Sequence, residues 1–526
     1  MKTNPDTAHP EKVTTLEELP VKALIRKLPT GVRGLDEILG GGIPEYSFNL
    51  IAGTPGCGKT TMAHQIAFTI GTEQRPALYF TLLGEPALKM MRYQQQFSFY
   101  DATKVGTAVR FFNLSDVLIE RDLNAVFDEI VSQVKAVAPG LVFVDSFRSV
   151  ERANVSPSAA VELLMFIQKL GQFLAAWEAT TFLVGEYERE EIREHSLFNV
   201  ADGIFWLSQE VERNSVVRKL QIIKLRGQKS VPGLHTVRID EDGLQAFSRT
   251  LGLIGRQPES ATLSKRIQIS LGIPELDQML NGGVFEGDSL LVAGPSGCGK
   301  SSLATQFIGE GLRQGESAIM AIFEERVQGY ANRADRFGLK FEPALASGKL
   351  EILYLRLLDL SVDETMQEIL DAIDRTGAKR LVIDSLGGFE MALAPSFRTD
   401  YRESLYRMIG VLTRAGVTIL STVEVEDNFS ALSFSNYAIS YLTDDIIRMR
   451  YVEIDGQLRK VLVVIKIRGG NHSKDIREYI ITGKGLAMVA PRRTDYVSLT
   501  SGLPQAIGHP QEPPPEPKFI GGIPPA

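Results

Sequence analysis

Gly294-Pro295-Ser296-Gly297-Cys298-Gly299-Lys300-Ser301 decides how this chain folds. It fits G-x-x-x-x-G-K-[ST], the pattern of a phosphate-binding loop. The apolar run Ser289-Leu290-Leu291-Val292-Ala293 before it reads as a buried strand, and Ser302-Leu303-Ala304-Thr305-Gln306-Phe307 after it reads as the start of a helix. Glycines here let the backbone turn so that successive N–H groups converge on phosphate oxygens, and the helix N-terminus adds a partial positive charge. In that setting Lys300 is expected to reach the β- and γ-phosphates of ATP, and the Ser301 hydroxyl to ligate Mg²⁺. A glycine-rich turn with no ligand is the competing reading, but it gives no reason for the motif to recur. The chain repeats it as Gly53-Thr54-Pro55-Gly56-Cys57-Gly58-Lys59-Thr60, followed by Thr61 where Ser302 follows the other copy.

The recurrence extends well beyond the loops. Lys300 lies 241 residues after Lys59. Leu141-Val142-Phe143-Val144-Asp145 is answered by Leu381-Val382-Ile383-Asp384 at an offset of 239, and Lys224-Leu225-Arg226-Gly227 by Lys466-Ile467-Arg468-Gly469 at 242. Near-constant offsets mean a tandem duplication. Each copy opens on a short helix ending in glycines, Gly34-Leu35-Asp36 to Gly42 and Glu275-Leu276-Asp277 to Gly283. An apolar strand ending in Asp delivers a carboxylate to the C-terminal sheet edge, where open α/β folds bind ligands. Asp145 and Asp384 are therefore expected to support Mg²⁺ together with Thr60 and Ser301. Helix-period segments such as Leu123 to Val137 and Val362 to Arg375 alternate with β-type runs, which predicts an α/β fold of two mostly parallel sheets with helices on both faces. The expected layout is an N-terminal arm over 1–20, a first domain over 21–250, a linker over 251–264, a second domain over 265–496 and a proline-rich tail over 497–526.

Bulk properties bound the function. At 526 residues the chain is too long for one core, and its 44% hydrophobic and 23% charged residues are ordinary for a globular protein. A net charge of −7 disfavours a nucleic-acid groove, which wants a basic excess. The only two cysteines, Cys57 and Cys298, each sit inside a phosphate loop, which implies a reducing compartment. No signal-peptide pattern and no apolar run of about 18 residues occurs, so a cytoplasmic location without membrane contact is expected.

The two copies differ where chemistry is expected. The second reads Ala318-Ile319-Met320-Ala321-Ile322-Phe323-Glu324-Glu325, while the first has Leu83-Gly84 in place of the acidic pair, followed by Glu85. A carboxylate beside the γ-phosphate can orient water or take a proton from an attacking hydroxyl, so Glu324 and Glu325 are the candidate general bases. Hydroxyls are also concentrated in the second copy, where Ser440 and Tyr441 stand opposite Phe198 and Asn199 of the first.

Taken together, the glycine-rich lead-ins, the two phosphate loops, the Asp-ending strands, Glu324-Glu325 and the two Lys-x-Arg-Gly segments resemble the KaiC family of ATPases and autokinases over about residues 25–490. The resemblance implies two RecA-like P-loop NTPase domains and a homohexamer with ATP between subunits. In that arrangement Lys224 and Arg226, and Lys466 and Arg468, reach the nucleotide held by the neighbouring protomer. It further implies ATP–Mg²⁺ as cofactor, phosphoryl transfer onto a neighbour's Ser440, and a KaiB-like or signalling protein as partner. The family's acceptor pair is Ser-Thr; here it reads Ser440-Tyr441, and Ser435 matches a nearby third hydroxyl. Two rivals remain: a RecA-like DNA-dependent ATPase, and a scaffold in which ATP only gates assembly.

Overall fold

The computed structural model describes residues 25–81, 87–115, 117, 123–153, 159–193, 195–212, 215–249, 267–355, 360–398, 401–425, 443–454, 456–489, 496–497 and 505–506. The expected arm, the linker, Glu85, Ser435, Ser440 and Tyr441 lie outside these. The chain divides into two compact units, the first closing at Arg249.

In the first unit, β1 (Phe48–Gly53), β2 (Ala77–Thr81), β3 (Val109–Asn113), β4 (Leu141–Asp145), β5 (Thr180–Glu186), β6 (Gly203–Glu212), β7 (Ser215–Leu225), β8 (His235–Asp240) and β9 (Gly243–Phe247) form one sheet. Their order is β9-β8-β7-β6-β1-β5-β4-β2-β3. The six strands from β6 to β3 pair in parallel, and β8 pairs antiparallel with β7 and β9.

The second unit repeats this order strand for strand. Its members are β10 (Ser289–Gly294), β11 (Ala318–Ile322), β12 (Leu350–Tyr354), β13 (Arg380–Asp384), β14 (Thr418–Glu424), β15 (Asp445–Ile454), β16 (Gln457–Lys466), β17 (Arg477–Thr482) and β18 (Gly485–Met488). Parallel strands covered on both faces must be apolar throughout. Both central strands, β1 and β10, are accordingly buried at every residue.

The alternation of side chains builds two cores per sheet. In the first unit Leu50, Ala52, Val142 and Val144 face α2 (Leu123–Val137) and α3 (Ala159–Ala176). Ile51, Tyr79, Phe143 and Val184 face α1 (Lys59–Ile70). The predicted helical segment at 362 appears as α6 (Val362–Thr376), following α4 (Lys300–Arg313) and α5 (Val327–Arg336). The aspartates of the glycine-rich lead-ins have a structural job. Asp36 Oδ1 accepts from Thr30 N at 2.9 Å and Thr30 Oγ1 at 2.7 Å, and Asp277 accepts from Leu271 N at 2.8 Å and Ser270 Oγ at 2.5 Å. Each carboxylate ties its short helix to the turn before it.

His64 on α1 lies in the first core, with its ring edge-on to Tyr79 at 4.4 Å. Burial disfavours the imidazolium and pulls its pKa down to about 4. The unfolded chain binds the proton below about pH 6.5, whereas the folded chain resists it down to about 4, so stability is full above 6.5 and falls with pH across that window. The expected loss is roughly 3 kcal/mol by pH 4. Urea midpoints of the first unit measured against pH check this, and His64→Leu should flatten the slope.

Arg380 opens β13 with a side chain at 0% exposure. Its Nε donates to Glu316 Oε2 at 2.6 Å, and one terminal nitrogen donates to Ser270 O at 2.7 Å and Phe307 O at 3.0 Å. Of the expected tail only Val497 and Gln505–Ala506 lie within the described residues. Tyr496–Val497 pairs antiparallel with Gln505–Ala506, as the β-propensity of Tyr and Val favours. Among the described residues, no helix is long and apolar enough to cross a membrane.

Candidate nucleotide-binding sites

In the first unit the loop from Gly53 to Gly58 leaves the C-terminal end of β1, and α1 starts at Lys59. Gly58 at φ 101° and Gly299 at φ 109° precede the two lysines, in the left-handed region that suits glycine. A Cβ on Gly53 would lie 1.8 Å from Leu207 O, so that position admits no side chain.

Lys59 Nζ donates to Thr54 O at 2.8 Å and lies 3.8 Å from Glu186 Oε1, at the end of β5. Thr60 Oγ1 donates to Asp145 Oδ2 at 2.9 Å, and the Tyr79 hydroxyl donates to the same oxygen at 2.8 Å. Burial pushes the Asp145 carboxyl up, and burial beside that carboxylate pushes the Tyr79 phenol well up. A cavity of about 400 Å³ opens here, lined by Gly56, Gly58, Lys59, Thr60, Thr61, Asp145, Arg148 and Glu186 among others.

The second unit carries the same arrangement at the end of β10. Lys300 Nζ donates to Gly294 O and Pro295 O, both at 2.9 Å. Pro295, Ser296 and Gly297 form the outer turn of the loop. Tyr451 OH donates to Ser296 O at 3.3 Å, Lys460 Nζ to Gly297 O at 3.0 Å and Tyr479 OH to Cys298 O at 2.6 Å, bracing the loop from β15, β16 and β17. Asp384 accepts hydrogen bonds from the Tyr330 and Thr422 hydroxyls, with the Ser301 side chain alongside Tyr330. Glu324 Oε1 accepts from Ser385 Oγ at 2.8 Å, one residue beyond Asp384. Glu325 is turned aside and pairs with Arg333 at 2.6 Å.

The donor sets fit a nucleotide with a hard divalent cation. Each loop offers converging N–H groups and a lysine, and each adds a hydroxyl and a carboxylate at the sheet edge, with phosphate oxygens left to complete the shell. No cluster of three or more His, Cys, Asp or Glu suited to a metal occurs among the described residues.

The Lys-x-Arg pairs lie elsewhere. Lys224 Nζ donates to Asn199 O at 3.0 Å, and Arg226 pairs with Asp202 at 3.1 Å. Asp202 also accepts Phe48 N at 3.0 Å, at the start of β1. In the second unit Lys466 Nζ donates to Thr443 O at 2.6 Å, and Arg468 pairs with Asp444 at 3.0 Å. Asp444 also accepts Ser289 N at 3.1 Å, at the start of β10. Burial raises the Asp444 pKa, but hydrogen bonds from Ser289 and Arg468 outweigh it and hold the carboxyl low. The phosphate loops leave the opposite strand ends, about 17 Å away at ~3.3 Å per residue. Neither pair reaches the loop of its own domain.

Residues of these sites that were not singled out in the sequence include Tyr79, Arg148, Glu186, Tyr330 and Thr422. Glu186 carried a usable signal, since Thr180–Glu186 is a buried run ending in a carboxylate, as β4 is. The two tyrosines had none, because their partner aspartates lie 66 and 54 residues away.

Two phosphate loops on two matching parallel sheets define a tandem of RecA-like P-loop NTPase domains. The family model for the KaiC ATPase matches residues 28–250 and again 269–493. The chain is 27% identical over 500 residues to the circadian clock oscillator protein KaiC of Prochlorococcus marinus subsp. pastoris, covering 93% of this chain and 95% of that one. It is 29% identical over 497 residues to the Rippkaea orientalis KaiC, covering 92% of each. The Parathermosynechococcus lividus KaiC is 28% identical over 497 residues, covering 92% of this chain and 89% of that one. The chain belongs to the KaiC family of ATPases and is a KaiC-like ATP-binding protein.

Proposed function

We propose that this protein is an ATP-dependent autokinase that assembles as a hexamer and phosphorylates Ser440 of a neighbouring subunit from the nucleotide held by its second domain. The observation that carries the reading is the Ser385–Glu324 hydrogen bond, which holds a carboxylate beside Asp384 at the edge where the second loop opens. The first unit has Leu83-Gly84 at that place in the sequence.

Thr60 with Asp145, and Ser301 with Asp384, would hold Mg²⁺, which when bound with ATP supplies a polarised γ-phosphoryl group. The N–H groups of Ser296, Gly297, Cys298 and Gly299 and the Lys300 ammonium orient the phosphates. Glu324 takes the proton of the acceptor hydroxyl as its oxygen bonds to phosphorus and the bond to the ADP oxygen breaks. Glu325, tied to Arg333, serves as a weaker candidate base. Lys466 and Arg468, and Lys224 and Arg226 in the first ring, contact the neighbour's nucleotide. The lack of reach to their own loops supports a reading in which the sites are completed between subunits.

Incubation with γ-labelled ATP is expected to label the protein, and Ser440→Ala with Tyr441→Phe to remove the label. Label retained in that double variant overturns the assigned acceptor. Turnover of ATP with no labelled protein overturns the kinase and favours a scaffold gated by ATP.

A further inference from the structure

We propose that one tyrosine hydroxyl in each domain, Tyr79 in the first and Tyr330 in the second, is the positioning group for the carboxylate that holds the metal. The inference rests on the nucleotide–Mg²⁺ reading of the two sites. Residues of the shared frame recur at offsets near 241, but these tyrosines do not: Met320 stands opposite Tyr79, and Lys89 opposite Tyr330. One hydroxyl comes from a strand of the sheet, the other from helix α5, yet both donate to the Asp that ends the matching strand. Two unrelated backbone positions deliver one chemical group to one carboxylate.

Packing does not account for the hydroxyls. Tyr79 is wholly buried; its ring stacks on Phe143 at 5.4 Å and meets Phe111 at 5.5 Å, while Phe143 stacks on Phe182 at 4.8 Å. A phenylalanine would complete that ladder without a polar atom to satisfy. Tyr330 is 1% exposed, and the Arg333 guanidinium lies 4.7 Å over its ring.

Thr60 and Tyr79 both donate to Oδ2 of Asp145, which leaves Oδ1 to face a cation or its water; Tyr330 and Thr422 take one oxygen each of Asp384, and each oxygen keeps a second lone pair for that purpose. The phenol fixes the rotamer of the carboxylate and makes no bond to the metal itself. Such outer partners set metal affinity by roughly 10- to 100-fold. In the second site the same helix turn does more. Arg333 both covers Tyr330 and pairs with Glu325, so α5 ties Asp384 and Glu325 together.

The test is Mn²⁺ binding to the full chain in the presence of ADP, read from the electron paramagnetic resonance signal of free Mn²⁺, which needs no turnover. The unaltered chain is expected to bind two Mn²⁺ per subunit. Tyr330→Phe should weaken one of them by about 10-fold or more, Tyr79→Phe the other, and the double variant both. Binding of ADP without metal should stay within twofold of the parent. Circular dichroism checks each fold, and if one variant does not fold the other decides. Mn²⁺ bound equally well or more tightly by the variants overturns the proposal alone. A parent chain that binds no Mn²⁺ with ADP overturns the nucleotide reading along with it.

Discussion

Glu324→Gln is expected to lower the rate of phosphate incorporation about 10²- to 10⁴-fold, the range for losing a general base. Glutamine keeps the size of the side chain and an oxygen for the Ser385 hydroxyl 2.8 Å away, so the local fold is retained. What disappears is the capacity to take up a proton, so affinity for ATP should change by no more than a few-fold. Glu325→Gln should have the smaller effect, since Glu325 is held by Arg333 at 2.6 Å. Initial rates of labelling for the two variants settle the order. A loss at Glu325→Gln equal to that at Glu324→Gln would assign the base to the pair rather than to Glu324.

Mixing two inactive chains is expected to restore labelling from nothing. A Lys300→Ala chain lacks the ammonium that orients ATP in the second domain. A Ser440→Ala, Tyr441→Phe chain lacks the acceptors. Neither should label alone. Once subunits are exchanged, label should appear, and only on the Lys300→Ala chain. The reason is distance. Asp444 is bound to the start of β10, and the four residues back to Ser440 span at most ~14 Å. The phosphate loop begins about 17 Å away at the other end of that strand. Size-tagged chains resolved by electrophoresis show which one carries the label. Absence of label in the mixture, with mixed assemblies confirmed, would place donor and acceptor in one chain.

Much of the fold and part of each site could be read from the sequence because the signals are local. A phosphate loop is eight consecutive residues between a strand and a helix, and duplication turned each weak pattern into a recurring one. Asp145 and Asp384 were found this way, at the ends of apolar runs. Glu186 ends a similar run and could have been read in the same manner. Tyr79 and Tyr330 could not. Their partner aspartates are 66 and 54 residues away, and neither tyrosine has a counterpart in the other copy to mark it. The Lys-x-Arg segments were visible as sequence, but only the sheet shows that they lie at the strand ends opposite the loops. The copies thus kept Asp36 and Asp277 in the frame and the lysine, hydroxyl and aspartate of each nucleotide site, and diverged at Glu324-Glu325 and at the two tyrosines.

Arg380 shows that divergence within the frame itself. The residue opposite it in the first copy, at the offset of 239 that aligns Asp145 with Asp384, is Leu141. A planar fork meets an acid and two main-chain oxygens from three segments far apart in the chain. A lysine would bring equal charge on a single tetrahedral nitrogen and could not span all three. Swapping one cation for another there should therefore be more disruptive than many changes to apolar neighbours, and the second domain has a point of fragility that its twin lacks.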